Sequence, residues 1–240
     1  MLTTTIYENI ALLKDLKVKQ LCVLIDPDKF NEKLSEEFFN SLPDSTTHIF
    51  VGGSTVESNK TDKTVRAIKQ FTELPVILFP GDHSQITEKA DALLFLSLLS
   101  GRNPEYLIEQ QVKSVNKLKH SDLEIIPTGY ILIDGGRKSA VQRISNTQPI
   151  PQNDIELIVN TALAGQYSGK KIIYLEAGSG ALHHVSLQVI KAVNKALTIP
   201  LIVGGGIRSM NQLNAIYEAG ADMAVIGTAF EISDFSYLDK

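Results

Sequence analysis

The chain has 240 residues, of which 43% are hydrophobic and 21% are charged, a composition typical of one soluble globular domain. Its 23 basic and 27 acidic side chains give a net charge of −4, which disfavours a protein that coats nucleic acid. No run reaches the roughly 20 apolar residues of a membrane span, and residues 1–20 lack a signal-peptide pattern. The single cysteine excludes an internal disulfide framework. We therefore expect one domain over residues 1–240, in the cytoplasm.

Eight short apolar runs rich in valine, isoleucine and leucine predict eight β-strands. Because their apolarity is continuous rather than alternating, we expect both faces of each strand to be covered, as in a parallel sheet. The runs are residues 21–25, 48–51, 76–79, 92–96, 124–126 continuing to 133, 171–175, 201–203 and 223–226.

Amphipathic stretches lie between most of the predicted strands. The stretch over residues 103–119 opens with Asn-Pro-Glu and ends in lysines, as a capped helix does. A second predicted helix, residues 209–219, is followed by Gly220, a common stop signal. Two more are predicted over residues 154–163 and 186–197.

Strands that alternate with helices predict an α/β fold, here a modified TIM (β/α)8 barrel. The interval from Phe79 to Asp91 has room for a turn and little else. We therefore expect the third crossover helix to be missing or replaced by an extended segment. The alternative fold, a doubly wound open sheet, normally has a glycine-rich turn after its first strand, whereas here Asp26-Pro27-Asp28 follows.

Glycine-bearing turns follow the last three predicted strands. In a TIM barrel the strand C-termini carry the active site, and the turns after strands seven and eight form the usual phosphate site. Glycines let the backbone approach a ligand closely, and helix N-termini direct N–H groups at it. We expect a phosphomonoester at these turns; the alternative is that the glycines only make tight turns. The turns are Gly178-Ser179-Gly180, Gly204-Gly205-Gly206 and Gly227-Thr228.

Tyr174 and Glu176 lie two residues apart on the predicted sixth strand and so share a face. A carboxylate repels a phosphate, so Glu176 is better suited to accept a hydroxyl proton at the other end of the substrate. The alternative is a structural carboxylate paired with a neighbouring arginine or lysine.

Asp26 ends the first predicted strand, and Ser54 and Thr55 follow the second. One carboxylate near a hydroxyl can hold Mg²⁺ if substrate oxygens supply the remaining ligands. Asp-Pro is also a common turn opener, so a helix cap is an equal alternative for Asp26.

Other polar residues carry weaker signals. His83, His183 and His184 lack the spacing of a metal site. The pair His183-His184 is better interpreted as the solvent-exposed start of a helix. Residues 134–138 (DGGRK) are either a turn that presents anion-binding cations or a solvated loop. Cys22 lies within an apolar strand and is expected in the core.

Six blocks together resemble one family. They are residues 24–29 (LIDPDK), 51–55 (VGGST), 126–132 (IPTGYIL), 174–181 (YLEAGSGA), 203–208 (VGGGIR) and 226–229 (IGTA). In this order, over residues 21–229, they resemble the geranylgeranylglyceryl phosphate synthases and their heptaprenylglyceryl phosphate synthase relatives. The glycine turns occur in many phosphate-binding barrels, but the YLEAGSG and LIDPDK blocks are much more specific.

The resemblance implies a modified TIM barrel without the regular third helix. It implies a Mg²⁺-dependent prenyltransferase that joins sn-glycerol 1-phosphate to an allylic prenyl diphosphate and releases diphosphate. Asp26 and Ser54 are the implied Mg²⁺ positions. Residues 93–104 are similar to the second of the two larger groups of the family, so we expect a homo-oligomer, a dimer or hexamer. The implied glycerol-phosphate positions are Tyr174, Leu175, Glu176, Ala177, Gly178, Ser179, Gly180, Gly205, Gly206, Gly227 and Thr228.

The chemistry agrees with these residues. Glu176 and Tyr174 are the candidate catalytic residues, with Glu176 accepting the proton of the primary hydroxyl. The Asp-Asp-x-x-Asp cluster of chain-elongating synthases is absent, which favours transfer of a finished chain. The resemblance implies that this chain is geranylgeranyl and that the product is an ether lipid precursor. We expect no membrane span, but a peripheral membrane contact for the lipid product. An apolar groove for the chain is predicted from Phe79, Leu98, Leu99, Tyr106 and Tyr130.

Three alternatives remain. A heptaprenyl chain would keep the chemistry and change the donor. A sugar-phosphate isomerase or aldolase would keep the phosphate site but needs a lysine or a paired acid and base at the strand ends, whereas Lys171 lies at the opposite edge. A non-catalytic phospho-ligand sensor predicts the loss of Glu176 or Asp26, and both are present.

Overall fold

The computed structural model describes residues 4–227, which form a closed barrel of eight parallel strands in chain order. The eighth strand pairs with the first, with Gln20 opposite Met223, so the sheet has no free edge. The predicted TIM barrel is confirmed. The strands are β1 (Gln20–Ile25), β2 (Thr46–Val51), β3 (Val76–Leu78), β4 (Ala92–Leu98), β5 (Glu124–Leu132), β6 (Ile172–Glu176), β7 (Leu201–Gly204) and β8 (Met223–Ile226).

Eight α-helices accompany the strands in the described part of the chain. The predicted helix over residues 103–119 is a π-helical turn, Glu105–Glu109, that continues as an α-helix. Gly220 ends the last helix in a left-handed conformation, as predicted. None of these helices is long and apolar enough to cross a membrane. The helices are α1 (Ile6–Asp15), α2 (Ser35–Asn40), α3 (Lys60–Ile68), α4 (Gln110–Leu118), α5 (Ala140–Ser145), α6 (Ile155–Tyr167), α7 (Leu187–Ala196) and α8 (Met210–Ala219).

The third crossover has no α-helix, as the short interval predicted. One 3-10 turn, His83–Gln85, lies between β3 and β4. The Gln85 side chain donates to the Gly53 carbonyl (2.9 Å) and accepts from the Gly81 N–H (3.1 Å), which fixes the crossover to the turn after β2. At the other end of the crossover, Asp91 accepts hydrogen bonds from the Val76 N–H (2.8 Å) and the Lys69 ammonium (2.5 Å).

Alternate residues of each strand face the barrel interior or the surrounding helices. The interior contains Cys22, Phe50, Ile126 and Tyr174, so the prediction that Cys22 is a core residue is confirmed. The outward residues pack against the helices in two further apolar clusters. The side chains at the carboxyl ends of the strands therefore stand on a continuous packed core.

We predict that Asp91→Ala lowers the free energy of unfolding by about 1–3 kcal/mol, because the Val76 N–H then loses its acceptor where no helix covers the crossover. Urea unfolding followed by circular dichroism measures the change. Asp122→Ala is the control: Asp122 is exposed, and we expect a change within about 0.5 kcal/mol. Equal stability of the two variants would show that Asp91 does not hold this crossover.

Candidate active site

A cavity of about 730 Å³ opens at the carboxyl ends of the strands, and residues from or directly after all eight strands line it. This is the end at which TIM barrels carry their active sites. Among the predicted site residues, the cavity brings together Asp26, Ser54, Tyr174, Glu176, Gly178, Ser179, Gly180, Gly205, Gly206 and Gly227.

Glu176 is the buried carboxylate of this cavity. It is the last residue of β6 and is 7% exposed. Its Oε1 accepts a hydrogen bond from the Gly178 N–H at 2.7 Å. Burial raises the pKa of Glu176 to about 6, although the Tyr174 hydroxyl and the Gly178 N–H both favour the charged form. No ion pair to Glu176 is formed within residues 4–227, so this geometry does not support the structural-pair alternative. A carboxylate with this pKa is charged at pH 7 and is suited to accept a proton.

The glycines at the end of β7 are required by Glu176. A Cβ atom on Gly204 would lie 2.7 Å from Glu176 Oε2 and would overlap the Tyr174 hydroxyl. A Cβ atom on Gly205 would overlap Glu176 Oε1, and Gly205 also has a φ of +83°. The backbone after β7 therefore approaches the carboxylate as closely as only glycine permits.

Aromatic rings form the floor of the cavity. The ring centroids of Phe79 and Tyr174 are 5.2 Å apart, and those of Tyr130 and Tyr174 are 5.4 Å apart. Burial, with the charge of Glu176, raises the pKa of both tyrosines well above the usual value, so both hydroxyls stay protonated. The buried Tyr174 hydroxyl lies beside Glu176 but makes no hydrogen bond of good geometry with a described residue. It is therefore a buried donor beside the carboxylate that no other described residue engages.

The glycine turns after β6 and β7 present backbone N–H groups to the cavity. Gly178, Gly180, Gly205 and Gly206 all have positive φ angles, which direct successive N–H groups to one side. Within residues 4–227, the N–H groups of Gly180, Gly205 and Gly206 donate to no protein acceptor. Such a concave set of donors is typical of an anion site. The part of the cavity at these two turns is called the glycine cradle below.

Some predicted residues are not brought to the cavity. Leu175 and Ala177 alternate with Tyr174 and Glu176, so their side chains face the helices and are buried there. This placement does not bring either side chain to a ligand in this cavity, and binding through the backbone of these two residues stays a prediction. Thr228 lies outside the described residues.

The predicted apolar groove is present with one correction. Phe79, Leu98, Tyr106 and Tyr130 line the cavity. Leu99 does not: its Cδ1 is 2.7 Å from the position of a Cβ atom on either Gly129 or Gly165, so it packs between β5 and α6. Its side chain faces away because strand residues alternate.

Part of the cavity extends through the barrel wall. Leu93 and Phe95, which also line it, are on the outer face of β4, because the alternate residues Leu94 and Leu98 are in the interior cluster. This extension lies where the third crossover lacks a helix. We call it the apolar arm, defined by Ile86, Leu93, Phe95, Leu98 and Tyr106.

Sequence reasoning missed the residues of α4 at this arm. Gln111 donates to the Leu96 carbonyl and to the Ser97 hydroxyl (2.9 Å), which fixes α4 to β4, and it lines the cavity with Ser114. A glutamine within a helix gives no signal of such a contact in a single sequence. Arg137 and Ser139 after β5 also line the cavity, and only the DGGRK pattern indicated that loop.

Asp26 and Ser54 line the cavity on the side of β1 and β2. Asp26 Oδ1 accepts from the Asp28 N–H (3.0 Å), and its Oδ2 is 3.5 Å from the Lys29 ammonium. No group of three or more potential metal-binding His, Cys, Asp or Glu residues exists within residues 4–227. A carboxylate and a hydroxyl are nevertheless hard oxygen donors, and Mg²⁺ is commonly bound by one or two carboxylates with substrate phosphates and water. The residues present fit such a site.

The chain was compared with protein families and with known proteins. Residues 14–240 match the model of the PcrB family. The chain belongs to the PcrB family. It is 60% identical over 227 residues to the geranylgeranylglyceryl phosphate synthase of Zunongwangia profunda, covering 94% of this chain and 97% of the relative. It is 50% identical to the enzyme of the same name from Flavobacterium johnsoniae, covering 99% and 98% of the two chains.

A solved structure is similar over almost the whole fold. It is the (S)-3-O-geranylgeranylglyceryl phosphate synthase of Thermoplasma acidophilum in complex with its substrate sn-glycerol-1-phosphate. The TM-score is 0.89 at 37% identity, covering 98% of this chain and 96% of that one.

We predict that Glu176→Gln stabilises the protein by about 2 kcal/mol above pH 7, since a pKa raised from 4.5 to about 6 destabilises the fold whenever the carboxyl is charged. The difference appears as the pH rises through 4.5 to 6 and is absent below pH 4.5, where the carboxyl is protonated in both states. Unfolding curves from pH 4 to 8 measure it.

Glu73→Gln is the control for this titration, because Glu73 is exposed in a loop. We expect its unfolding curves to follow those of the unmodified protein at every pH. The measured quantity is the stability of Glu176→Gln minus that of the unmodified protein. If this difference is smaller at pH 8 than at pH 4.5, burial of the charged carboxylate does not destabilise the fold.

Proposed function

We propose that the chain transfers a geranylgeranyl group from geranylgeranyl diphosphate to the primary hydroxyl of sn-glycerol 1-phosphate. The product is an ether lipid precursor, and diphosphate is released. The observation that carries the proposal is the position of Glu176, a buried carboxylate at the edge of the glycine cradle, in a cavity that also has an apolar arm. The names of the relatives and the complex from Thermoplasma acidophilum support it.

The acceptor is a small polyol phosphate in this proposal. Its phosphate is held by the N–H groups of the glycine cradle, and its hydroxyl points at Glu176. The phosphate fixes the hydroxyl relative to the donor, so much of the catalysis is orientation. As the acceptor oxygen bonds to C1 of the allylic group, the bond from C1 to the diphosphate oxygen breaks, and Glu176 takes the hydroxyl proton.

The donor's hydrocarbon chain occupies the apolar arm. The arm begins at the aromatic floor formed with Phe79 and Tyr130 and leaves the barrel across Leu93 and Phe95. Transfer of apolar surface from water to such side chains is favourable by roughly 25 cal/mol per Å². The space left by the missing crossover helix therefore suits a long apolar substrate.

The diphosphate end of the donor lies at Asp26 and Ser54 in this proposal. Mg²⁺ there would neutralise charge on the leaving group. Asp26 and Ser54 would hold the ion, and the Lys29 ammonium, 3.5 Å from Asp26, adds positive charge at the same place. The expected homo-oligomer and the peripheral membrane contact stay predictions.

An extraction assay tests the proposal. Purified protein, Mg²⁺ and radiolabelled sn-glycerol 1-phosphate are incubated separately with C15, C20 and C35 diphosphates, with sn-glycerol 3-phosphate as the control acceptor. We expect label in the organic phase chiefly with the C20 donor and the 1-phosphate. Label chiefly with the C35 donor would replace geranylgeranyl by heptaprenyl, and no label with any donor would contradict a prenyltransferase and favour the sugar-phosphate alternative.

We predict that Asp26→Asn raises the Mg²⁺ concentration for half-maximal activity by about tenfold or more, because a charged ligand is lost. Asp28→Asn is the matched control: Asp28 does not line the cavity, and its carboxylate pairs with Lys60 at 3.2 Å. A Mg²⁺ titration of activity measures both. An unchanged midpoint for Asp26→Asn would remove Asp26 as a ligand.

A further inference from the structure

Three lining residues of the cavity, within the described chain, carry a permanent positive charge. They are Lys29, Arg137 and Arg208. Two of them are engaged by the protein. Lys29 lies beside Asp26, 3.5 Å away. Arg208 donates to the carbonyls of Ala181 (2.5 Å) and Leu182 (3.4 Å) and so supports the turn after β6.

Arg137 differs from the other two. It forms no hydrogen bond or ion pair through its side chain with any residue in the range 4–227. Its Nη1 lies 4.0 Å from the position that a Cβ atom on Gly180 would occupy. The guanidinium therefore stands at the glycine cradle with its donors unused by the described protein.

The loop that carries Arg137 is fixed to the turn after β6. The carbonyl of Gly135 accepts from the N–H groups of Leu182 (2.9 Å) and His183 (3.1 Å). Gly135 packs so closely on the Ala177 carbonyl that a Cβ atom would overlap it. The Gly136 N–H donates to Asp134 Oδ1 at 2.9 Å, which closes the turn directly before Arg137. The base of Arg137 is therefore held, whereas its side chain is exposed at the rim of the cavity.

Charge balance favours a cation at this place. A phosphomonoester carries between one and two negative charges near neutral pH, and the buried Glu176 adds another beside the cradle. Backbone N–H groups supply only partial positive charges. A guanidinium supplies a full charge and a planar fork that matches two phosphate oxygens.

We propose that Arg137 is a phosphate-binding residue that forms a bidentate ion pair with the phosphomonoester of the acceptor. The assignment rests on the proposed function, since it takes the glycine cradle as the acceptor's phosphate site. The diphosphate of the donor has the same anion chemistry, but Asp26 and Ser54, its proposed site, follow β1 and β2, whereas Arg137 stands beside the turn after β6.

The test compares Arg137→Ala and Arg137→Lys with Arg143→Ala as the control. Arg143 is exposed on α5 and does not line the cavity, so its removal changes the net charge equally. Calorimetry measures the Kd of sn-glycerol 1-phosphate and of inorganic phosphate, and steady-state kinetics give the KM of the donor. Thermal melting shows that each variant is folded.

For Arg137→Ala we expect the Kd of sn-glycerol 1-phosphate and of inorganic phosphate to rise about tenfold or more, with the KM of the donor within about twofold. Arg137→Lys should recover only part of the affinity, because an ammonium lacks the fork. Arg143→Ala should bind like the unmodified protein. Unchanged phosphate binding by Arg137→Ala, or an effect confined to the KM of the donor, would overturn the assignment.

Failure of the proposed function gives a different result. In that case the unmodified protein forms no extractable product with any prenyl donor, whatever Arg137 contributes to phosphate binding. Conversely, the unmodified protein could make the ether product while Arg137→Ala binds phosphate equally well. The proposed function would then stand, and the proposed role of Arg137 would be refuted.

Discussion

The site depends on one buried carboxylate that has no cationic partner within residues 4–227. Glu176 ends β6 inside the barrel, where desolvation raises its pKa and the Gly178 N–H and Tyr174 hydroxyl offset only part of that effect. Its oxygens leave no room for a side chain on Gly204 or Gly205. Gly205 is thus both a glycine that Glu176 requires and one whose N–H group donates to no described acceptor. The burial of the carboxylate and the free N–H group of Gly205 therefore arise from the same packing constraint, and such strain is common at functional sites.

The second constraint is the absent third helix. A regular barrel covers the outer face of every strand with a helix. Here the crossover is held by the polar contacts of Gln85 and Asp91 instead, and the outer face of β4 becomes part of the cavity. One cavity consequently has a polar end at the glycine cradle and an apolar arm, to which we assign the phosphate and the hydrocarbon chain in our proposal. A sugar-phosphate enzyme has no use for the apolar arm, so this shape favours prenyl transfer.

Most of the fold could be predicted from the sequence, because continuous apolar runs separated by amphipathic stretches have few solutions other than a barrel. Tyr174 and Glu176 were correctly placed on one face by the period of a strand. The same period directs the side chains of Leu175 and Ala177 away from the cavity. A motif of consecutive residues does not show this alternation. Leu99 was assigned to the groove for its apolarity, but apolarity does not distinguish the two faces of a fully covered strand. Arg137 and Gln111 could not be assigned, since their roles depend on contacts between segments distant in sequence.

We propose that Glu176 acts on the acceptor hydroxyl while the glycine cradle holds the phosphate. The most direct test measures, on the Glu176→Gln variant, both the Kd of sn-glycerol 1-phosphate and the single-turnover rate with both substrates saturating. We expect a Kd within about threefold of that of the unmodified protein and a rate lower by about 10²-fold or more. A variant that turns over bound substrates at the unmodified rate would show that Glu176 does not act on the hydroxyl.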